Sequence, residues 1–416
     1  MNIKKALILS SLILAGECIF ILPFLVTRVF RPTFLKVFDI SNFELGSAFS
    51  VYGIVAAMSY FFGGPLADKF SPKKLMASSL LLTCAGGFAM SKIPSLTILT
   101  FLYGLWGLTT ILLFWAAFIK STRVLGGHEN QGKSFGTVDA GRGFVAAALA
   151  SISVLLFDFF LTSTADIASV DELAFALGKI IFLFSCLTTI TAVIVWLFVP
   201  NTSESTESIH KQSIKNVKEV LKKRSVWVQS FIVLCAYVGY KCTDDFSLYA
   251  SVVLGYDDVD AAHVGTISFW VRPFAAIAAG FIGDRFIHSK TIAVCFIIIV
   301  IGSGLISSGL INYSAEIFIL ITIASMSVGI YGLRGLYFAL FEESGIPIYL
   351  TGSAVGVVSV LGYTPDIFMG PLMGYVLDNS PGITGHQHLF AILFVFAVVG
   401  FFISIYFNKK TQQKFS

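Results

Sequence analysis

The sequence predicts an all-α membrane protein of twelve transmembrane helices in two pseudo-symmetric six-helix bundles. Three observations carry that fold class. Hydrophobic residues make up 56% of the chain and charged residues only 12%, about half the charged share of a soluble domain. Apolar stretches of about 20 residues, the length that crosses a bilayer as a helix, recur from end to end. One long polar interruption, NTSESTESIHKQSIKNVKEVLKKR from Asn201 to Arg224, divides them into six and six.

In order, the expected spans lie near 6–30, 44–66, 75–91, 95–119, 133–160 and 173–199, then 226–252, 262–283, 291–312, 315–340, 350–374 and 387–407. The first opens behind Lys4 and Lys5 and has no small-residue cleavage site after it, so it reads as a retained helix rather than a signal peptide. The expected domains are an N-terminal bundle (1–200), a cytoplasmic linker (201–225) and a C-terminal bundle (226–416). The six cysteines all sit inside apolar stretches with no CxxC pair and no His/Cys cluster. They read as small core residues, and neither a metal site nor a cofactor is expected. A net charge of +4 excludes a globally basic nucleic-acid binder.

Basic residues set the orientation. With a cytoplasmic N-terminus, nineteen of the 28 Lys and Arg fall in loops and tails on that side and four (Arg31, Lys36, Lys92, Lys179) on the other. That asymmetry predicts both termini inside a cytoplasmic membrane. Glu342 and Glu343 stand on the same cytoplasmic side without a cation beside them in the sequence.

An internal repeat supports the division. GGPLADKF (Gly63 to Phe70) closes span 2 and AGFIGDRF (Ala279 to Phe286) closes span 8, so that Gly64, Asp68 and Lys69 match Gly280, Asp284 and Arg285 at an offset of 216. Gly136 falls on Gly352 at the same offset. Two halves of one design in the same orientation are the parallel-repeat signature of certain transporters.

Twelve spans, a central loop and a Gly-x-x-x-Asp-Lys/Arg loop after spans 2 and 8 resemble the major facilitator superfamily over essentially the whole chain. The resemblance implies solute transport by alternating access, with no enzymatic chemistry. It also implies that the two Asp-containing loops act as cytoplasmic gates and touch no substrate.

A charge at the bilayer centre costs at least about 2.5 kcal/mol, so such residues should face a cavity or each other. Ten qualify: Glu17 and Arg28 in span 1, Asp139 and Arg142 in span 5, Lys241, Asp244 and Asp245 in span 7, Arg272, Arg334 and Asp366 in spans 8, 10 and 11. Spans 3, 9 and 12 have none, which agrees with the superfamily's peripheral helices. At about 1.5 Å per residue, Asp139 and Arg142 lie roughly 9 and 13 Å beyond Lys133. They share a helical face and form either an anion or proton site or a mutually neutralising pair. Lys241 has the spacing to pair with Asp244 or Asp245. Glu17, Asp139, Asp244 and Asp245 are the candidate proton carriers, and Arg272, Arg334 and Asp366 are candidate cavity or inter-bundle partners.

Within the superfamily the chain partly resembles the organophosphate:phosphate antiporters, through Lys241, Asp245, Ser247 and Tyr249 in span 7, Arg142 in span 5 and Arg28 in span 1. The resemblance implies a cationic site of Arg28, Arg142 and Lys241 for a phosphorylated, sulfonated or carboxylated solute. GRGFVAAALAS lacks the span 5 signature of drug/proton antiporters. The expected partners are therefore a small anionic solute, protons or a counter-anion, and the lipid bilayer, for a protein working as a monomer. A proton-coupled carrier of a neutral or zwitterionic solute is the alternative, since five intramembrane bases could be neutralised by five acids. A non-transporting receptor with the same fold is a remote third reading.

Overall fold

The computed structural model describes residues 3–126, 131–201, 217–310, 316–347, 350–380 and 382–412. Among these, eleven helices are long and apolar enough to cross a membrane. They are α1 (Ile3–Val29), α3 (Asn42–Gly64, continuing to Lys69), α5 (Leu96–Leu125), α6 (Gly136–Phe160, starting from Gln131), α7 (Val170–Phe198), α8 (Arg224–Val253), α9 (Asp258–Arg285), α10 (His288–Ser307), α11 (Glu316–Leu336), α13 (Ser353–Asn379) and α14 (Ile383–Thr411). Shorter helices include α2 (Arg31–Phe38), α4 (Pro72–Met90) and α12 (Leu340–Glu343).

The third expected span, 75–91, folds as the 19-residue α4, which opens with Pro72 in its first turn and is the one expected span outside those eleven. It is stitched to α5 by polar contacts that its Ser and Thr residues provide: Ser79 Oγ donates to the Thr109 carbonyl at 2.7 Å and Trp106 Nε1 to the Thr83 carbonyl at 3.1 Å. The ninth helix ends earlier than expected, at Ser307, where Gly309 turns the chain with φ 67°. The eleventh runs five residues past the expected 374, to Asn379. Of the expected linker, residues 202–216 lie outside the described residues.

Helix starts follow local sequence. Ser41 and Ser169 each cap a helix reciprocally with the glutamate three residues on, Glu44 and Glu172, and Asp257 accepts from the Val259 and Asp260 amides to start α9. Three helix interruptions fall beside the buried charges. A π-turn at Ile21–Leu25, containing Pro23, interrupts α1 between Glu17 and Arg28. A 3-10 turn at Thr243–Asp245 breaks α8 at its acidic pair, and α13 breaks at Tyr363 and Thr364 just before Asp366. Irregular backbone at membrane depth is tolerated where it is buried in protein or lines a cavity.

Two hydrophobic cores form. One gathers residues from Ile8 to Val199 and takes in Ala262 and Phe269 of α9; the other runs from Val220 to Phe407. Between the cores α3 lies along α13 and α6 along α9. The first contact is backbone to backbone: a side chain on Gly46 would strike the Gly370 carbonyl, and one on Gly374 would strike Asn42 and Phe43. Small residues let helices approach this closely in lipid.

Those contacts seal one end of the molecule. There Thr33 Oγ1 and Lys36 Nζ bond the Asp258 carboxylate at 2.8 and 2.7 Å, and the Asp378 carboxylate accepts from the Asn42 and Phe43 amides at 3.2 and 2.8 Å. At the other end Gly64, Gly136, Gly280 and Gly356 have nothing within 4 Å of where a side chain would begin, and Phe61 and Phe62 are 66% and 68% exposed.

Candidate functional site

Of the ten intramembrane charges, Asp139 pairs with Arg142 and Lys241 with Asp244 as their spacing suggests, and Arg272 and Asp366 reach partners on other helices. Eight of the ten form two separate groups of two acids and two bases. In the first, Glu17 on α1 lies 3.4 Å from both Arg142 Nε on α6 and Arg272 Nη1 on α9. Asp139 completes it at 3.5 Å from Arg142 and 3.8 Å from Arg272. The arginine of this group that belongs to the N-terminal half stands among Phe20, Trp115 and Phe118, with ring centroids 5.7 to 5.9 Å from its guanidinium.

In the second group Arg28 binds Asp244 at 2.5 Å, and Lys241 bridges Asp244 at 3.1 Å and Asp366 at 3.6 Å. Tyr237 donates to the other oxygen of Asp366 at 3.0 Å. Arg28 also donates to the Tyr240 hydroxyl at 3.1 Å, and its own carbonyl accepts from Ser247 at 2.9 Å. Both groups span the two cores, because Arg272 reaches α1 and α6 in the first and Arg28 reaches α8 in the second. Each group is electrically neutral when all four members are ionised.

The adjacent acids of span 7 point to different partners. Asp244 faces Arg28 across the interface, whereas Asp245 is fully buried and pairs with His386 Nδ1 at 2.7 Å inside the C-terminal core. A histidine partner from the last span, whose ring meets Tyr249 edge-on at 5.3 Å, is absent from the sequence-derived set. Arg28 and Lys241 thus share one acid, while Arg142 belongs to the other group. The three do not form a common cationic site here.

Arg334, at the end of α11, is the exception. Its guanidinium carbon lies 3.8 Å from the centroid of the Tyr240 ring and 5.9 Å from that of Tyr237. Among the described residues no carboxylate comes within ion-pair distance of it, and its Nη1 has no hydrogen-bond partner. Around it stand phenols: Tyr363 packs on Tyr237 at 4.8 Å and on Tyr60 of the N-terminal half at 6.4 Å, and the Tyr337 and Tyr363 hydroxyls are 3.2 Å apart. Reading charges alone misses these tyrosines. The signal was present in YVGYK, where Tyr237 and Tyr240 share one helical face just before Lys241. A second basic residue without a carboxylate, Arg31, lies at the sealed end and donates to Asn42 Oδ1 at 3.0 and 3.3 Å.

The loop residues differ between the two repeats. Lys69 lies over the Phe70 ring at 5.7 Å, and Lys120 donates to the Ala67 carbonyl at 3.1 Å. The Asp68 side chain lies outside the described residues. In the second repeat Asp284 faces His288 at 3.2 Å rather than Arg285. His288 also approaches Glu343 at 3.5 Å, and Glu343 accepts from the Ser289 amide at 2.9 Å, which supplies the partner that the acidic loop lacks in sequence.

Helices with charged, broken segments at the junction of two similar halves are the architecture of secondary transporters. The family model of the Major Facilitator Superfamily matches residues 8–368. The chain belongs to the major facilitator superfamily. As a facilitator it is a multi-pass membrane transporter of small solutes. It is 27% identical to Inner membrane protein YihN of Escherichia coli K12, over 99% of this chain and 97% of that one. A stretch covering 38% of the chain is 31% identical to the Probable nitrate transporter NarT of Staphylococcus haemolyticus, over 39% of that protein. Among solved structures the nucleoside transporter NupG superposes with a TM-score of 0.72 at 15% identity, over 98% of this chain and 100% of that one, a likeness of fold.

Proposed function

We propose that this facilitator carries a small organic anion across the cytoplasmic membrane by alternating access, and that Arg334 is the residue that holds it. One observation carries the reading. Four of the five intramembrane cations are neutralised in the two groups, and Arg334 is left with an aromatic face and a free donor. An unpaired cation at membrane depth is costly and is retained where it serves a solute. Oxyanions fit arginine as bidentate acceptors.

The nineteen-to-four distribution of basic residues supports a cytoplasmic location for both termini. The open end, which bears the two Gly-x-x-x-Asp loops, then faces the cytoplasm and the sealed end faces outward. The name of the YihN relative is consistent with an inner membrane. Transport then requires the N-terminal bundle (1–200) and C-terminal bundle (226–416), working as a monomer, to rock about the buried groups. The seal at Asp258 and Asp378 breaks as the loops close. The similarity of one stretch to a probable nitrate transporter, a carrier named for an anion, supports the same substrate charge. Coupling runs either to protons, taken up by Glu17, Asp139, Asp244 or Asp245, or to a counter-anion.

A carrier of a neutral solute is the competing reading, and the internal neutrality of both groups favours it. Thermal shifts of the purified protein against phosphorylated, sulfonated, carboxylated and neutral metabolites, repeated with Arg334→Gln, separate the two. Stabilisation by anions that disappears in the variant is expected. Stabilisation by neutral solutes alone would exclude the anion.

A further inference from the structure

Resting on the anion reading above, we infer that the substrate is a monoanion at neutral pH, so that a sulfonate, sulfate ester or carboxylate is accepted and a dianionic phosphate monoester is rejected. The argument is a count of charges by position. Glu17 and Asp139 balance Arg142 and Arg272, and Asp244 and Asp366 balance Arg28 and Lys241. Asp245 is engaged by His386 within the C-terminal core. With Asp245 and His386 counted as one internally balanced pair, what remains uncompensated among the described intramembrane residues is the single positive charge of Arg334.

One negative charge on the solute brings that region to neutrality. A second would stand without a counter-charge, in surroundings where Tyr237, Tyr240 and Tyr363 offer rings and hydroxyls and the further cation at Tyr240, Arg28, is already bound to Asp244. An unbalanced buried charge is far more costly than a balanced one, and hydroxyl donors do not remove it. Arg31, a buried arginine that also lacks a carboxylate, is held by Asn42 at the sealed end, so it is not free to take the second charge. Drawing a cation from either neutral group would strand an acid there, and the cost would reappear.

The face of Tyr240 adds a steric element. Because the Tyr240 ring centroid lies 3.8 Å from the guanidinium carbon, that side of the cation is occupied, and the anion is restricted to the edge and side away from the ring. A compact oxyanion head can use that edge with two parallel hydrogen bonds.

The test uses pairs that share a body and differ only in the head: phenyl sulfate with phenyl phosphate, and glycerol 3-sulfate with glycerol 3-phosphate. Sulfate esters carry one charge at every working pH, whereas phosphate monoesters lose their second proton near about pH 6. Binding to the intact purified protein is measured by calorimetry or thermal shift at about pH 8 and about pH 5, with the sulfate ester as internal reference for any titration of the protein itself. At the higher pH the sulfate member of a pair is expected to bind at least about tenfold more tightly than the phosphate member, and at the lower pH the two are expected to converge. Equal or tighter binding of the phosphate at the higher pH overturns the monoanion inference and leaves the anion reading standing. Binding of neutral solutes, with no Arg334-dependent binding of either head, overturns both.

Discussion

The guanidinium of Arg28 lies 2.5 Å from the carboxylate of Asp244, and the two residues are 216 positions apart. That separation is the repeat offset itself, so the acid and the base occupy equivalent places in the two halves. Equivalent positions face each other where they approach the axis relating the halves. None of the other eight intramembrane charges has a charged counterpart at that offset: Glu17 falls on Val233, Arg142 on Val358 and Arg334 on Phe118. The duplicated fold has one charge pair across its axis, and the remaining charges are additions that make the halves unlike.

Removing one member of that pair leaves the other buried and uncompensated, at a cost of about 3–5 kcal/mol. Asp244→Asn is therefore expected to favour separation of the sealed end. A cysteine placed by Val29→Cys, at a position now 0% exposed, should label with a membrane-impermeant thiol reagent in the Asp244→Asn background and stay protected otherwise. Equal labelling in both backgrounds would show that the pair does not hold the seal.

Within the first neutral group, Glu17→Gln strands the excess charge of two arginines, whereas Glu17→Gln with Arg272→Gln leaves Asp139 and Arg142 matched. The single change is expected to cost about 3 kcal/mol, and the double change to recover most of it. Denaturation of the three proteins in detergent checks this. Additive losses would mean that Glu17 and Arg272 are energetically independent.

Tyr240 serves two cations, through its face to Arg334 and through its hydroxyl to Arg28. Tyr240→Phe keeps the face and removes the acceptor, so the apparent KM for an anion should hold while the turnover rate changes. Tyr240→Ala removes both, and loss of a cation–π contact of about 0.5–2 kcal/mol should weaken anion binding by about 2- to 30-fold. Concentration-dependent uptake in proteoliposomes gives both quantities.

Gly46 meets Gly370 through backbone alone. Gly46→Val inserts an isopropyl group at that contact and is expected to wedge α3 from α13, so that the Val29→Cys reporter labels as it does in Asp244→Asn. Gly64→Val, made where nothing lies within 4 Å, is the matched control and should leave the reporter protected.

By itself the sequence determined that this is a helical, duplicated membrane protein with ten costly charges in its spans. Lipid supplies no hydrogen bonds, so each span must be a largely apolar helix readable from its own residues. The pairing of those charges was decided by tertiary structure. Arg28, Lys241 and Arg142 have the same local signature, yet the first two share Asp244 across the interface and the third binds Glu17. Asp244 and Asp245 are neighbours in the chain, and a single 3-10 turn sends one to the N-terminal half and the other to His386. Arg334 looked like any other candidate until every carboxylate near it was accounted for. Electrostatic balance depends on distances between helices that no one span encodes, so the one cation left unmatched emerges only when all of them are packed together.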